Sequence, residues 1–96
     1  MTLRLHPDVS TTALGADDGE SRTDEGVVLL NERTGGYWQF NATGAFVLRL
    51  LLEGEEPPDI AGRLADHHRV EREQADRDVA AVVEELLDAR LLVLDR

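Results

Sequence analysis

The sequence predicts an α+β fold, with a three-stranded antiparallel sheet followed by three helices. Two observations carry that expectation. Residues 26–52, GVVLLNERTGGYWQFNATGAFVLRLLL, read as a β-hairpin running directly into an apolar helix. Beyond them, apolar residues recur at helical spacing in two further segments, separated from the first by Gly54 and Pro57-Pro58. The 96 residues are the length of one domain. A chain this short buries only about 60–65% of its unfolded surface, so its core is modest.

Residues 2–9, TLRLHPDV, alternate Leu3 and Leu5 with Arg4 and His6, the period-2 pattern of a half-buried strand. Pro7 has no N–H for a ladder, so it places this strand at an edge or ends it. Residues 10–25, STTALGADDGESRTDE, are polar and acidic and contain two glycines. They are expected to form a mobile loop, more simply a solvated connection than a partner-binding acidic segment.

Residues 27–32 form a continuous apolar run that ends in Asn31 and Glu32, the pattern of a central strand. Arg33-Thr34-Gly35-Gly36 is a turn signal, because glycine accepts positive φ. Tyr37–Phe40 then returns antiparallel. Trp38 and Phe40 share one face, expected towards the helices, and Tyr37 and Gln39 share the other.

Asn41 is a favourable N-cap for a helix over residues 42–53, and Gly54 stops that helix. Its apolar surface, including Phe46, Leu50 and Leu51, is wide enough to require cover on more than one side. Pro57-Pro58-Asp59 opens a second helix ending near His67 or His68, with Ile60, Ala61, Leu64 and Ala65 as its apolar face. A third helix starts at Glu71 or Arg72 and reaches about residue 90. Ala75, Val79, Val82, Val83 and Leu86 follow the 3–4 spacing. Residues 91–94 are an apolar, extended tail. Helices two and three can form a helix-turn-helix, so the whole order is winged helix-turn-helix-like.

The composition excludes several function classes. The net charge of −10 repels phosphate backbones and anionic membranes and favours a basic or neutral partner. The third helix would be the DNA reader, yet Glu73, Asp76, Asp78, Glu84, Glu85 and Asp88 outnumber Arg72, Arg77 and Arg90 on it. There is no cysteine, hence no disulfide framework and no thiolate chemistry. The N-terminal residues lack a signal-peptide pattern, and no apolar run reaches the roughly 18 residues of a membrane span, so a cytoplasmic protein is expected. His67 and His68 are adjacent and point in different directions on a helix, so they do not converge on a metal. Ser10 and Ser21 lack the surroundings of an activated nucleophile. Neither a catalytic group nor a cofactor is expected.

What remains is the aromatic strand. Its Trp38 and Phe40 belong mostly to the core, but its free backbone edge does not. An edge strand with no proline and little charge can accept a peptide as an additional strand. Two other readings stay open on the residues alone. One is a winged-helix nucleic-acid binder, and the other is a self-associating subunit whose edge is covered by its own copy.

A resemblance enters at Gly36-Tyr37-Trp38-Gln39-Phe40-Asn41, followed by Gly44, Leu48, Leu51 and Gly54, then Ile60, Leu64, a long helix and an apolar tail. This ordered set resembles the PqqD-like family of RiPP recognition elements, with its Gly-x-Tyr-x-x-Leu-Asn strand, apolar helix and two further helices. Phe40 stands where the pattern has Leu, and the acidic stretch 10–25 is a departure from it. A free-standing chain of this length is similar to the discrete leader-binding proteins of lasso-peptide biosynthesis. The resemblance implies that residues 1–96 form a single recognition domain that is not an enzyme. It also implies that a precursor leader peptide adds as a strand in the groove between the third strand and third helix. One wall would be Gly36, Tyr37, Trp38, Gln39 and Phe40. The other would be Asp76, Val79, Ala80, Val83 and Leu87, with Asp76 and Glu84 available to basic leader residues. The implied partners are the precursor leader, a separate transglutaminase-like leader peptidase and a cyclase.

Overall fold

Asn31 organises the turn of the hairpin over residues 27–40. Its side-chain Oδ1 accepts from the backbone N–H of Arg33 at 2.9 Å and of Thr34 at 3.1 Å, while its carbonyl accepts from Gly35 at 2.8 Å. An Asx turn of this kind supplies locally the bonds that a reversing backbone loses. In the computed structural model, which describes residues 2–13 and 26–95, the elements run in the order strand, strand, strand, strand, helix, helix, helix, strand. They are β1 (Thr2–Leu5), β2 (Val9–Ala13), β3 (Val27–Asn31), β4 (Tyr37–Phe40), α1 (Ala42–Leu52), α2 (Pro57–His68), α3 (Arg72–Asp88) and β5 (Leu92–Asp95).

A three-stranded antiparallel sheet, ordered β2-β3-β4, precedes the three helices, as the sequence predicts. The identity of its first strand differs from expectation. Thr2–Leu5 does not join this sheet. It pairs antiparallel with β5, Leu3 opposite Leu94 and Leu5 opposite Leu92. The chain then turns over Pro7, with Val9 N–H donating to the His6 carbonyl at 2.9 Å, and Val9 enters the main sheet opposite Asn31. The expected loop over residues 10–25 therefore begins too early. Val9–Ala13 is a strand because Val and Thr are β-branched and suit a pleated surface, despite the polarity of Ser10, Thr11 and Thr12. The remainder of that expected loop, residues 14–25, lies outside the described residues.

Two glycines are required by geometry. Gly26 has φ +117°, and a Cβ there would stand 2.0 Å from the Phe40 carbonyl oxygen. Gly54 has φ +93° and closes α1 in a Schellman arrangement, with Glu55 N–H donating to Leu50 and Gly54 N–H to Leu51, both at 3.0 Å. At its other end α1 is capped by Asn41, whose side chain accepts from Gly44 N–H at 2.9 Å. α2 and α3 end instead on left-handed arginines, Arg69 (φ 55°) and Arg90 (φ 59°).

The core is apolar throughout, and among the described residues no polar or charged residue is buried. The sheet contributes Val9, Val27, Leu29 and Phe40, while α1 is buried along most of its length. α2 adds Ile60, Ala61 and Leu64, and α3 adds Ala75, Val79 and Leu86. In the ribbon formed by β1 and β5, β1 lies against α1 and β5 against α3, and Leu3 and Leu92 are buried. This ribbon gives α1 the cover on a further side that its wide apolar surface demands. Among the described residues, no helix is long and apolar enough to cross a membrane.

Candidate functional site

Strand order places β4 at the edge of the main sheet, beside β3 and nothing else among the described residues. Its backbone groups on the outer side have no ladder partner there, which is the state that accepts an added strand. The strand alternates as its pleat requires. Phe40 points inward and is 6% exposed, and Trp38, on the same face, is half-buried and packs against the core. Tyr37 and Gln39 point to solvent, Tyr37 with 69% of its surface exposed beside the partly exposed Leu30 across the ladder. Gly36 lies under the Trp38 ring, where an added Cβ would stand 3.3 Å from Cη2.

α3 faces this strand across a gap, since the two backbones barely approach each other. A shallow hollow of about 540 Å³ occupies the gap, lined by Trp38 from β4 and by Ala81, Glu84, Glu85, Asp88 and Ala89 from α3 and its end. A second hollow of about 430 Å³ lies farther around the helix, bounded by Pro57 of α2 and by Ala80, Val83, Glu84, Leu87 and Asp88. Leu87 is 43% exposed there, a large apolar side chain left in water. Glu84 and Asp88 border both hollows and form the ridge between them.

The predicted site residues thus do not all come together. Ala80, Val83, Glu84 and Leu87 come together in the second hollow, and Trp38 and Glu84 in the first. Val79 is 2% exposed and, like Phe40, supports the surface from the core. Asp76 is engaged locally, accepting from Arg72 Nε at 3.2 Å, while Arg72 Nη2 donates to the Pro58 carbonyl at 2.9 Å. Sequence reasoning missed Pro57, Ala81, Glu85, Asp88 and Ala89. Positions 81, 85 and 88 do share a helical face, but Glu85 and Asp88 entered the sequence reading only as charges that disfavour DNA binding.

The two histidines take part in neither hollow. The His67 ring stacks on Phe46 at 5.0 Å and 14°, His68 lies 5.2 Å from the same ring, and the Arg49 guanidinium sits 5.5 Å from its centroid. Among the described residues, no three His, Cys, Asp or Glu side chains group so as to hold a metal ion.

Two solved structures resemble the whole chain. One, lasso peptide synthetase B1 complexed with the leader peptide, has a TM-score of 0.79 and 37% sequence identity, covering 98% of this chain and 100% of that one. Another, TbiB1 in complex with the TbiA(beta) leader peptide, has a TM-score of 0.73 and 27% identity, covering 99% and 100% respectively. No curated protein matches the chain in sequence. Residues 26–92 match the family model for coenzyme PQQ synthesis protein D, from the start of β3 through all three helices into β5, and the chain belongs to the PqqD family.

Proposed function

We propose that this chain is a non-catalytic leader-peptide binding module of lasso-peptide biosynthesis, a RiPP recognition element in which residues 1–96 act as one domain. The leader adds as a strand beside β4, in the groove between β4 and α3. The domain then presents the precursor to a separate transglutaminase-like leader peptidase and to a cyclase, in the cytoplasm. The observation that carries this reading is the near full-length likeness to two proteins that are each in complex with a leader peptide. The free edge of β4, and the hollows beside it, supply a physical route to the same act. The contact set proposed is Gly36 to Phe40 on the strand and Asp76, Val79, Ala80, Val83, Glu84 and Leu87 on the helix, with Phe40 and Val79 acting as buried supports.

The magnitudes are adequate. Two or three leader side chains buried at roughly 1.5–3 kcal/mol each, with net backbone hydrogen bonds of about 1 kcal/mol each, oppose an ordering cost of about 2–5 kcal/mol. The surplus suits micromolar to nanomolar affinity. Titration of the protein with the fluorescein-labelled leader peptide of the 37% identical synthetase B1 protein tests the reading. Saturable binding is expected. Absence of binding at about 100 micromolar, equivalent to about 5.5 kcal/mol, for this leader and for TbiA(beta) would sink the proposal.

A further inference from the structure

The hollow between β4 and α3 has a chemical character that strand addition alone does not explain. One side is Trp38, partly exposed, with its ring held over Gly36 and packed against the core. Its other side carries the exposed carboxylates of Glu84, Glu85 and Asp88, with the small side chains of Ala81 and Ala89 leaving room between them. An aromatic face opposed by carboxylates suits a cation with an apolar stem. The stem lies on the ring, and the charged head meets both the ring's negative face and the acids.

Local helix energetics do not account for these acids. Glu85 and Asp88 stand in the last turn of α3, and Glu84 lies immediately before it, where the macrodipole disfavours negative charge. The last turn carries no basic residue to offset them. Asp76, on the same helix, is ion-paired to Arg72 and does not line this hollow. The adjoining hollow, across the ridge of Glu84 and Asp88, is by contrast apolar, with Pro57, Val83 and Leu87 on its walls.

We infer that the groove selects a leader carrying an Arg or Lys side chain that enters the hollow between Trp38 and the Glu84, Glu85 and Asp88 carboxylates, next to an apolar side chain that enters the hollow of Pro57, Val83 and Leu87. This inference rests on the leader-binding reading and specifies its substrate class. The carboxylates set the position of the basic residue, and so fix the register of the added strand. A strand that slipped by one residue would send the cation to the opposite face of the sheet, beside Tyr37. The net charge of −10 brings basic peptides to the surface, and this hollow distinguishes where along the peptide the charge lies.

Selection from a display library of random peptides, run on the full chain and on the variant E84Q/E85Q/D88N, tests the inference. The three side chains are exposed and the replacements are isosteric, and circular dichroism confirms that the variant is folded. Peptides captured by the native chain are expected to share one basic position close to an apolar one, and those captured by the variant to lose it. A captured peptide is then synthesised with Arg or with its uncharged isostere citrulline at that position. Citrulline should weaken binding by about fivefold to tenfold on the native chain and by less than about twofold on the variant. Trp38 is the one tryptophan in the chain, so its emission reports occupancy of this hollow directly. Captured peptides without a fixed basic position, or an equal citrulline effect on both proteins, would overturn the inference while leaving leader binding intact. Capture of no peptide at all would overturn both.

Discussion

Leu29 and Trp38 are direct partners across β3 and β4 on the same face of the sheet, yet Leu29 is wholly buried and Trp38 is partly exposed. The difference comes from their strands. β3 has a neighbour on each side, whereas β4 has one. A side chain at the edge overhangs into the gap before α3 and is covered from one direction only. An edge aromatic of this kind is poised to contact a strand that completes the sheet.

Trp38→Ala should therefore cost binding much more than folding. A buried aromatic anchor at an interface contributes about 2 kcal/mol or more, so leader affinity should fall about 30-fold. The far-UV circular dichroism spectrum should persist, because Phe40 and Leu29 keep this face of the sheet filled. Titration of the labelled leader, beside a thermal melt, checks both halves. Unchanged affinity would contradict strand addition at this edge.

Val79 and Val83 are one helical turn apart and should respond oppositely to arginine. Val83 is partly exposed at the apolar hollow, so Val83→Arg should leave the fold largely intact and weaken leader binding. Val79 is enclosed in the core, so Val79→Arg would bury an unpaired charge and unfold the chain. Circular dichroism of the two variants, with leader titration of the first, separates groove from core.

Gly26→Ala should destabilise the protein by about 2–3 kcal/mol, measured by urea unfolding. The methyl group would meet the backbone oxygen of Phe40, which cannot swing aside, at a φ that L-residues rarely adopt. A cost within experimental error would mean that β3 and β4 do not approach as closely as described.

Arg69→Gly should raise stability by about 0.5–1 kcal/mol. Arg69 holds a left-handed conformation at the end of α2, where a Cβ is penalised by roughly 1–2 kcal/mol and glycine is not. Part of that gain is offset by glycine's larger loss of backbone freedom on folding. The thermal midpoint reports the sign.

Leu92→Ala should cost about 2–4 kcal/mol, the usual range for emptying a buried leucine site. Leu92 is buried in β5, whose pairing with β1 closes the chain ends together. If the last residues were a solvated tail, the effect would stay within about 0.5 kcal/mol.

The hairpin, the Asn41 cap, the Gly54 stop, the proline start of α2 and the extents of the helices were all legible in the sequence. Each depends on residues close together, through turn chemistry, capping or a repeating apolar face. The same local reasoning identified β4 as the strand with a free edge, and the ordered residues 36–64 pointed to the family. Local pattern misread residues 10–13, whose polarity concealed a β-branched edge strand. It also assigned Thr2–Leu5 to the wrong sheet.

Sequence alone thus determined the hairpin of β3 and β4 and the three helices of this protein, and that its aromatic strand lies at an edge. Only the tertiary structure decided that the first strand pairs with the last, because partners some 90 residues apart are chosen by the burial of Leu3 and Leu92, with β1 against α1 and β5 against α3, and not by any neighbouring residue. It also decided which side of α3 meets Trp38. Successive helix positions are about 100° apart. The rotation that buries Ala75, Val79 and Leu86 therefore turns Ala81, Glu85 and Asp88 to the groove and leaves Asp76 with Arg72.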